Sequence, residues 1–329
     1  MTIKKRPLEE IVDNFDGSKI LVIGDVMIDH YLNGSVKRIS PEAPVPIVNI
    51  TNEYNTLGGS GNVAANIAAL NTTANFLSVA GYDDGKLKLD GLLKQHNIQG
   101  TIIEEKNRPT TVKSRIVGMS QQLLRFDYET TADIKEKTER KILSELELKY
   151  LKNLSVIIIS DYKKGVVTKN LLKNIISLSN KHNIKTIIDP KPETINFCKD
   201  SYLITPNNHE ASTYLNALAD SNEDVVLAGK TISRRLKNNV LITRGEYGMA
   251  LFEQNKKPFL IPTEAKHVYD VTGAGDTSIA LIALSLTANA TLQEATIISN
   301  VGAGLVVQKQ GTQTITPDEL KKELSKKYF

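Results

Sequence analysis

Tryptophan is absent from the 329-residue sequence, and cysteine occurs once, at Cys198. One thiol cannot close an intrachain disulfide or supply a multi-cysteine zinc site, and it suits a reducing compartment. Such a residue belongs buried and inert in a core. The five histidines are dispersed and none forms an H-x-G-H motif, so no metal cluster of imidazoles and no nucleotidyltransferase domain is expected within these residues. Long apolar runs are also missing: Val156–Ile159 and Ile279–Leu286 fall far short of a membrane span. The basic start, MTIKKR, runs into acidic residues instead of an apolar stretch, which argues against a signal peptide. Charge of one sign is scarce, since 41 Lys and Arg are scattered among 37 Asp and Glu. The net charge of +4 with no basic block excludes nucleic acid as the expected partner. No repeat, low-complexity tract or long linker interrupts a composition of 40% hydrophobic and 24% charged residues, which is that of a globular protein. A cytoplasmic protein without a membrane partner is expected.

Short β-branched runs recur at Ile20–Ile23, Val156–Ile159, Thr186–Ile188, Tyr202–Thr205 and Val240–Thr243, most of them followed by a helical pattern. Helical spacing is clear in Val63, Ile67 and Leu70, in Ile142 and Leu146, and in Leu171, Leu172, Ile175 and Ile176. The alternation predicts an α/β fold with a doubly wound, mainly parallel sheet flanked by helices on both faces. Two segments break the rhythm. Ala43–Ile50 carries Pro44 and Pro46 within an extended pattern, and Thr111–Asp127 alternates as an antiparallel pair would. Together they predict a small β-sheet lid, from segments near 35–56 and 110–128, inserted in a single domain spanning 1–329. An exposed apolar face on such a lid favours a homodimer.

The strongest local signal is Asp270-Val271-Thr272-Gly273-Ala274-Gly275-Asp276, just before the apolar stretch Ile279–Leu286 that reads as a buried helix. Gly273 and Gly275 let backbone N–H groups approach an anion at a helix N-terminus, where the dipole favours negative charge. An acid ending that turn lies beside a bound phosphate and can take a proton from an attacking hydroxyl. The plainer reading is a glycine-rich turn with Asp276 capping the helix.

This run resembles the signature of the ribokinase/PfkB sugar kinases, and further stretches match the family in order and spacing. The resemblance implies that Asp276 is the catalytic base and that the amides of Gly273, Ala274 and Gly275 form an anion hole. It implies that Asp29, in Gly24-Asp25-Val26-Met27-Ile28-Asp29, binds the sugar, together with Gly58, Gly59 and Asn62 in Gly58-Gly59-Ser60-Gly61-Asn62, where Ser60 replaces the usual small apolar residue. Asn207-Asn208-His209-Glu210 is similar to the family's Asn-x-x-Glu motif, with Glu210 ordering Mg²⁺ through water and Asn207 on the ATP side. Magnesium takes oxygen ligands and keeps water, so one carboxylate with the ATP phosphates suffices. Arg244, Gly245 and Gly248, and Asn300 ahead of Gly302 and Gly304, match regions that flank ATP in relatives; the later glycines serve helix packing equally well. Asp270 resembles a position near the monovalent-cation site of some relatives, with Val271 in place of the commoner Ser or Thr, which leaves potassium stimulation open.

Several stretches resemble one branch of the family, the D-glycero-β-D-manno-heptose 7-phosphate kinases: the Gly24–Asp29 run, Arg38–Pro46, Gln121–Arg125, Ser160-Asp161-Tyr162 with Lys164-Gly165, and Asp189-Pro190-Lys191. That likeness implies phosphorylation of an anomeric hydroxyl to give a 1,7-bisphosphate, a precursor of ADP-heptose for lipopolysaccharide. Independently, Lys113 and Arg115 face one side of an extended segment, as do Arg125 and Asp127. Arginine grips phosphate through paired donors and lysine acts as a compact charge, so Arg125 and Lys164 are the expected contacts for the acceptor's phosphate. The competing readings are a kinase for another sugar or sugar phosphate and a non-catalytic sugar-phosphate-binding protein. A dinucleotide oxidoreductase lacks its G-x-G-x-x-G after the first strand.

Overall fold

The computed structural model describes residues 7–118, 121–219, 221–265, 268–309 and 311–328. Residues 1–6, on which the reading of the N-terminus rested, and 119–120 within the expected lid segment lie outside the described residues. The first half of the chain runs α1 (Leu8–Asp13), β1 (Ile20–Gly24), β2 (Val26–Ile39), β3 (Pro46–Gly59), α2 (Ser60–Ala69), β4 (Ala74–Gly81), α3 (Asp84–Gln95), β5 (Gln99–Glu105), β6 (Val112–Gly118), β7 (Gln121–Tyr128) and α4 (Glu136–Glu145). It continues through β8 (Val156–Ser160), α5 (Lys169–Lys181), β9 (Lys185–Asp189), β10 (Leu203–Ile204), α6 (Asn208–Leu215), α7 (Asn222–Leu236) and β11 (Asn239–Thr243). It closes with β12 (Met249–Phe252), β13 (Phe259–Ile261), α8 (Ala274–Thr287), α9 (Leu292–Val306) and α10 (Pro317–Tyr328).

Among the described residues one sheet has nine strands in the order β13-β12-β11-β10-β9-β8-β1-β4-β5, parallel from β11 to β5 and antiparallel at β12 and β13. The five anticipated β-branched runs fall on β1, β8, β9, β10 and β11. They read as unbroken apolar stretches because both faces of the sheet are covered. Ile20 and Val22 belong to one core with α1, α2, α3, α8, α9 and α10, while Leu21 and Ile23 belong to the other with α4, α5, α6 and α7. The chain starts at β1, moves out through β4 and β5, then returns to the other side of β1 at β8. That reversal puts a crevice at the carboxyl ends of β1 and β8, the place where doubly wound sheets bind ligands.

The second sheet has the order β3-β2-β6-β7, with β6 and β7 antiparallel as anticipated. It differs from the expectation in beginning earlier. β2 leaves the main sheet only one residue after β1 ends and carries Asp29 into the lid, so the lid is built from residues well upstream of 35. Pro46 opens β3 as its first residue, where a strand tolerates proline. Ladder partners share a face, so Asp29, Tyr31, Lys113, Arg115, Arg125 and Asp127 line one side of this sheet. The other side presents Leu124, Phe126 and Tyr128, exposed by 55%, 49% and 67%. No described helix is long and apolar enough to cross a membrane.

Gly24 marks how closely β1 and β8 approach at the crevice. A Cβ there would sit 2.0 Å from the backbone oxygen of Ser160, and backbone on both sides leaves nothing flexible to move aside. Gly24→Ala is expected to lower unfolding free energy by at least about 2 kcal/mol, measured by urea denaturation; a variant as stable as wild type would contradict this packing.

Candidate active site

Just past Gly24, the buried Asp25 carboxylate gathers the loop that follows β8. Its Oδ2 accepts from the N–H groups of Tyr162 at 2.8 Å and Lys164 at 3.1 Å, and its Oδ1 from Val166 N–H at 2.9 Å. Burial, then the charge of Asp161, pushes Asp25 up to about 6 despite these donors. Asp161 in turn accepts from Lys163 N–H at 2.8 Å and the Thr194 hydroxyl at 2.7 Å. Two carboxylates at the sheet's switch point thus fix the backbone that presents Tyr162 and Lys164 to the crevice.

Asp276 lies in the first turn of α8, behind Gly273, whose φ of +83° suits a residue without Cβ. The carboxylate is buried and both oxygens are engaged: Asn62 Nδ2 donates to Oδ2 at 2.7 Å and the Tyr162 hydroxyl donates to Oδ1 at 2.6 Å. Burial pushes Asp276 up to about 6, with Asp29 adding to the rise while Tyr162, Asn62 and Lys191 oppose it. Asp276 therefore does more than cap a helix. Asn62 was expected among sugar hydroxyls, and its amide is instead directed at the carboxylate.

The acceptor side of Asp276 is lined from the lid and from α2. A Cβ on Gly58 would lie 2.5 Å from Asp29 Oδ2, and Gly59, at φ +57°, would meet the Asp25 carbonyl oxygen at 2.4 Å. Both glycines thus admit the lid strand against the helix start. Asp29 is held by Arg115 Nη1 at 2.6 Å. The two expected phosphate contacts already have carboxylate partners: Arg125 forks onto Asp127 at 2.8 and 2.6 Å, and Lys164 reaches Glu129 at 2.6 Å. Lys113 differs. It has no ion pair among the described residues, and burial, then the charges of Lys164 and Arg125, pulls its ammonium below the ordinary value. Three cations gathered around one unpaired member form a place that an anion relieves. Lys113 was visible in the sequence as the same-face partner of Arg115, but nothing local marks it as the unpaired one.

On the other side of α8's first turn, a small cavity of about 80 Å³ is bordered by Asp189, Lys191, Asn207, Glu210 and Gly275. Asn207 caps α6, its Oδ1 accepting from Glu210 N–H at 2.8 Å while Glu210 Oε2 accepts from Asn207 N–H at 2.9 Å. Glu210 Oε1 is paired with Lys191 Nζ at 2.6 Å. Burial, then the charge of Glu210, pushes Asp189 up to about 8. Two carboxylates in each other's field, Glu210 buried and Asp189 half-buried, fit a hard divalent cation, and the family pattern implies Mg²⁺. No group of three or more metal-binding side chains occurs among the described residues. Asp189 and Lys191 had entered only as part of a branch likeness.

Next to this cavity lies another of about 480 Å³, bordered by Thr243, Gly245, Gly248, Ala274, Gly275 and Asn300. Asn300 donates to the Pro262 carbonyl at 2.7 Å. Arg244 is buried beside it, its guanidinium 5.6 Å from the Tyr247 ring and its Nε without a hydrogen-bond partner. Gly302 faces away, against Leu281, so it serves helix packing, whereas Gly304 borders the cavity. Asp270 lies outside it, accepting from Thr272 and Gly311 N–H groups. A larger cavity, about 960 Å³ along β5 and α4, holds none of these residues; size does not mark the site here, chemistry does. The two cavities share Thr243, Gly275 and Ser278 and so meet at the start of α8, in the turn that carries Asp276.

The model of the pfkB family of carbohydrate kinases matches residues 18–319. This chain belongs to that family. It is an ATP-dependent sugar kinase. The bifunctional protein HldE of Aliarcobacter butzleri is 45% identical over 303 residues, covering 92% of this chain and 63% of that protein. That of Pasteurella multocida is 40% identical over 307 residues, covering 93% and 63%. The chain therefore spans less than two thirds of the length of these relatives. Among solved structures, Escherichia coli phosphofructokinase-2 in complex with potassium superposes with a TM-score of 0.79 at 22% identity, over 94% of this chain and 98% of that one. Arabidopsis thaliana ribokinase with ribose and ATP gives 0.73 at 20% identity, over 93% and 98%. These two likenesses establish the ribokinase-like fold.

Proposed function

We propose that this kinase transfers the γ-phosphoryl group of ATP to the anomeric hydroxyl of D-glycero-β-D-manno-heptose 7-phosphate, giving the 1,7-bisphosphate used to make ADP-heptose for lipopolysaccharide. The observation that carries the reading is the charged face of the lid. Lys113, flanked by Lys164 and Arg125, is a cation with no ion pair among the described residues, its charge offset only in part by Asp29 and Glu129, which suits an acceptor that already bears a phosphate. The similarity to HldE proteins over 92% of the chain supports the heptose as that acceptor.

In this reading Asp29 with Gly58 and Gly59 seats the sugar, and Lys113, Lys164 and Arg125 hold its phosphate. The acceptor oxygen attacks the γ-phosphorus as the bond to the ADP oxygen breaks, and Asp276 takes the hydroxyl proton. Asn62 holds the carboxylate's other oxygen, so the base is oriented before the acceptor arrives. The amides of Gly273 and Gly275 oppose the negative charge on the transferred group, helped by the α8 dipole, whereas Ala274 N–H is directed at the Val271 carbonyl at 3.3 Å. Asn207, Arg244, Gly245, Gly248 and Asn300 border the nucleotide. Glu210 and Asp189 would hold Mg²⁺, which when bound neutralises phosphate charge. A cytoplasmic setting goes with ATP as donor and with a single, buried thiol.

The test is ADP release with Mg-ATP and heptose 7-phosphate beside ribose, fructose and fructose 6-phosphate, with the product read by phosphorus NMR. Heptose-dependent release and a new anomeric phosphate are expected; preference for another acceptor would overturn the heptose assignment. The apolar lid face of Leu124, Phe126 and Tyr128 is assigned to a homodimer. Sedimentation equilibrium should then return twice the chain mass for wild type and the monomer mass for Phe126→Asp; a monomeric wild type would contradict it.

A further inference from the structure

Both oxygens of Asp276 already hold a hydrogen bond. Its buried carboxylate receives Asn62 on Oδ2 and Tyr162 on Oδ1. A base must come within about 2.6–3.2 Å of the group whose proton it takes, so the acceptor hydroxyl either shares an oxygen with one of these two partners or displaces it. Asn62 is fixed. It is buried in the first turn of α2, its carbonyl accepts from Asn66 Nδ2 at 2.9 Å, and its amide nitrogen would lie 3.1 Å from a Cβ on Gly273. Tyr162 is half-buried and sits on a loop. Its ring lies beside Gly59, with Cδ2 only 3.5 Å from where a Cβ on that glycine would be. Lys113 stands 6.0 Å from the ring centre and Lys191 stands 5.5 Å from it. The loop backbone is held by three bonds to Asp25, which leaves the side chain as the part free to turn.

We propose that Tyr162 gates the base: its hydroxyl occupies the place on Asp276 Oδ1 that the acceptor hydroxyl takes, and it withdraws only when an acceptor is seated. The role is one of positioning and exclusion. Burial, then the charge of Asp276, holds the phenol well above its ordinary value, so it stays a donor and takes no proton. While the gate is closed no water can use that oxygen. Were it open, a water oxygen would bond the γ-phosphorus, the bond to the ADP oxygen would break, and Asp276 would take the water's proton, wasting ATP. Lys113, over the ring and also proposed to hold the acceptor's phosphate, gives the gate a reason to open for a phosphorylated sugar: the anion draws the ammonium off the ring.

The inference rests on Asp276 being the base, and the experiment separates the two. Tyr162→Phe removes the hydroxyl and leaves space for a water molecule beside Oδ1. With Mg-ATP and no acceptor, ADP release by this variant should rise several-fold over wild type, and the excess should vanish in Y162F/D276N. No excess in Y162F overturns the gate and leaves the base assignment standing, whereas an excess that persists in Y162F/D276N overturns the base assignment and the gate with it. No sugar is needed, so an error in the acceptor's identity does not affect the result. Should Tyr162→Phe fail to fold, the crystal structure of wild type with its turned-over acceptor and no ATP decides the matter. The Tyr162 hydroxyl should lie beyond about 3.5 Å from Asp276, with the acceptor hydroxyl in its place; a phenol still bonded to Oδ1 beside a seated acceptor overturns the proposal.

Discussion

A carboxylate kept ionisable inside the protein is the constraint around which this site is arranged. Burial disfavours the charged form of Asp276, and Asp29 disfavours it further, whereas Asn62, Tyr162 and Lys191 favour it. The balance leaves the group near 6, basic enough to accept a proton and still ionised at neutral pH. Each opposing element comes from a different part of the chain: Asn62 from α2, Tyr162 from the loop after β8, Lys191 from the end of β9, Asp29 from the lid. The sheet's reversal between β1 and β8 brings them together, and the near-contact of Gly24 with Ser160 sets how tightly.

The same economy governs the lid. Alternation along β6 and β7 sends charge to one face and apolar bulk to the other, so one small sheet serves the cleft and a second surface at once. The partnering of the cations around its charged face differs: Arg115 and Arg125 of the lid and Lys164 of the loop after β8 each have a carboxylate, and Lys113 has no ion pair among the described residues.

Much of this was legible in the residues alone. Strands covered on both faces announce themselves as apolar runs, and Gly273 before Asp276 marks a turn at φ +83° that favours glycine. What escaped has physical reasons. β4 mixes Ala, Asn, Ser and Gly with its apolar residues, and β12 and β13 are four and three residues long, too short for a periodic signal. The lid's true start is hidden because one residue, Asp25, is all that separates β1 from β2. Asn62 and Tyr162 reach Asp276 across 214 and 114 residues, and no local pattern encodes such a contact. Likewise Arg125 and Lys164 could be recognised as cations of the right kind, but Asp127 and Glu129 decide how much of their charge is free.

The base is the central claim, and the pH dependence of kcat/KM for phosphoryl transfer, in wild type and Asp276→Asn, tests it most directly. Proton acceptance requires the ionised carboxylate, so wild-type activity should hold at neutral pH and be lost as the pH falls through about 6, approaching a tenfold decrease per unit, about the slope of a single titrating group. Asp276→Asn should retain ATP binding, lose at least about a hundredfold in rate, and show no such limb in what remains. A wild-type profile that stays flat well below that point, or near-normal turnover in Asp276→Asn, would contradict the account.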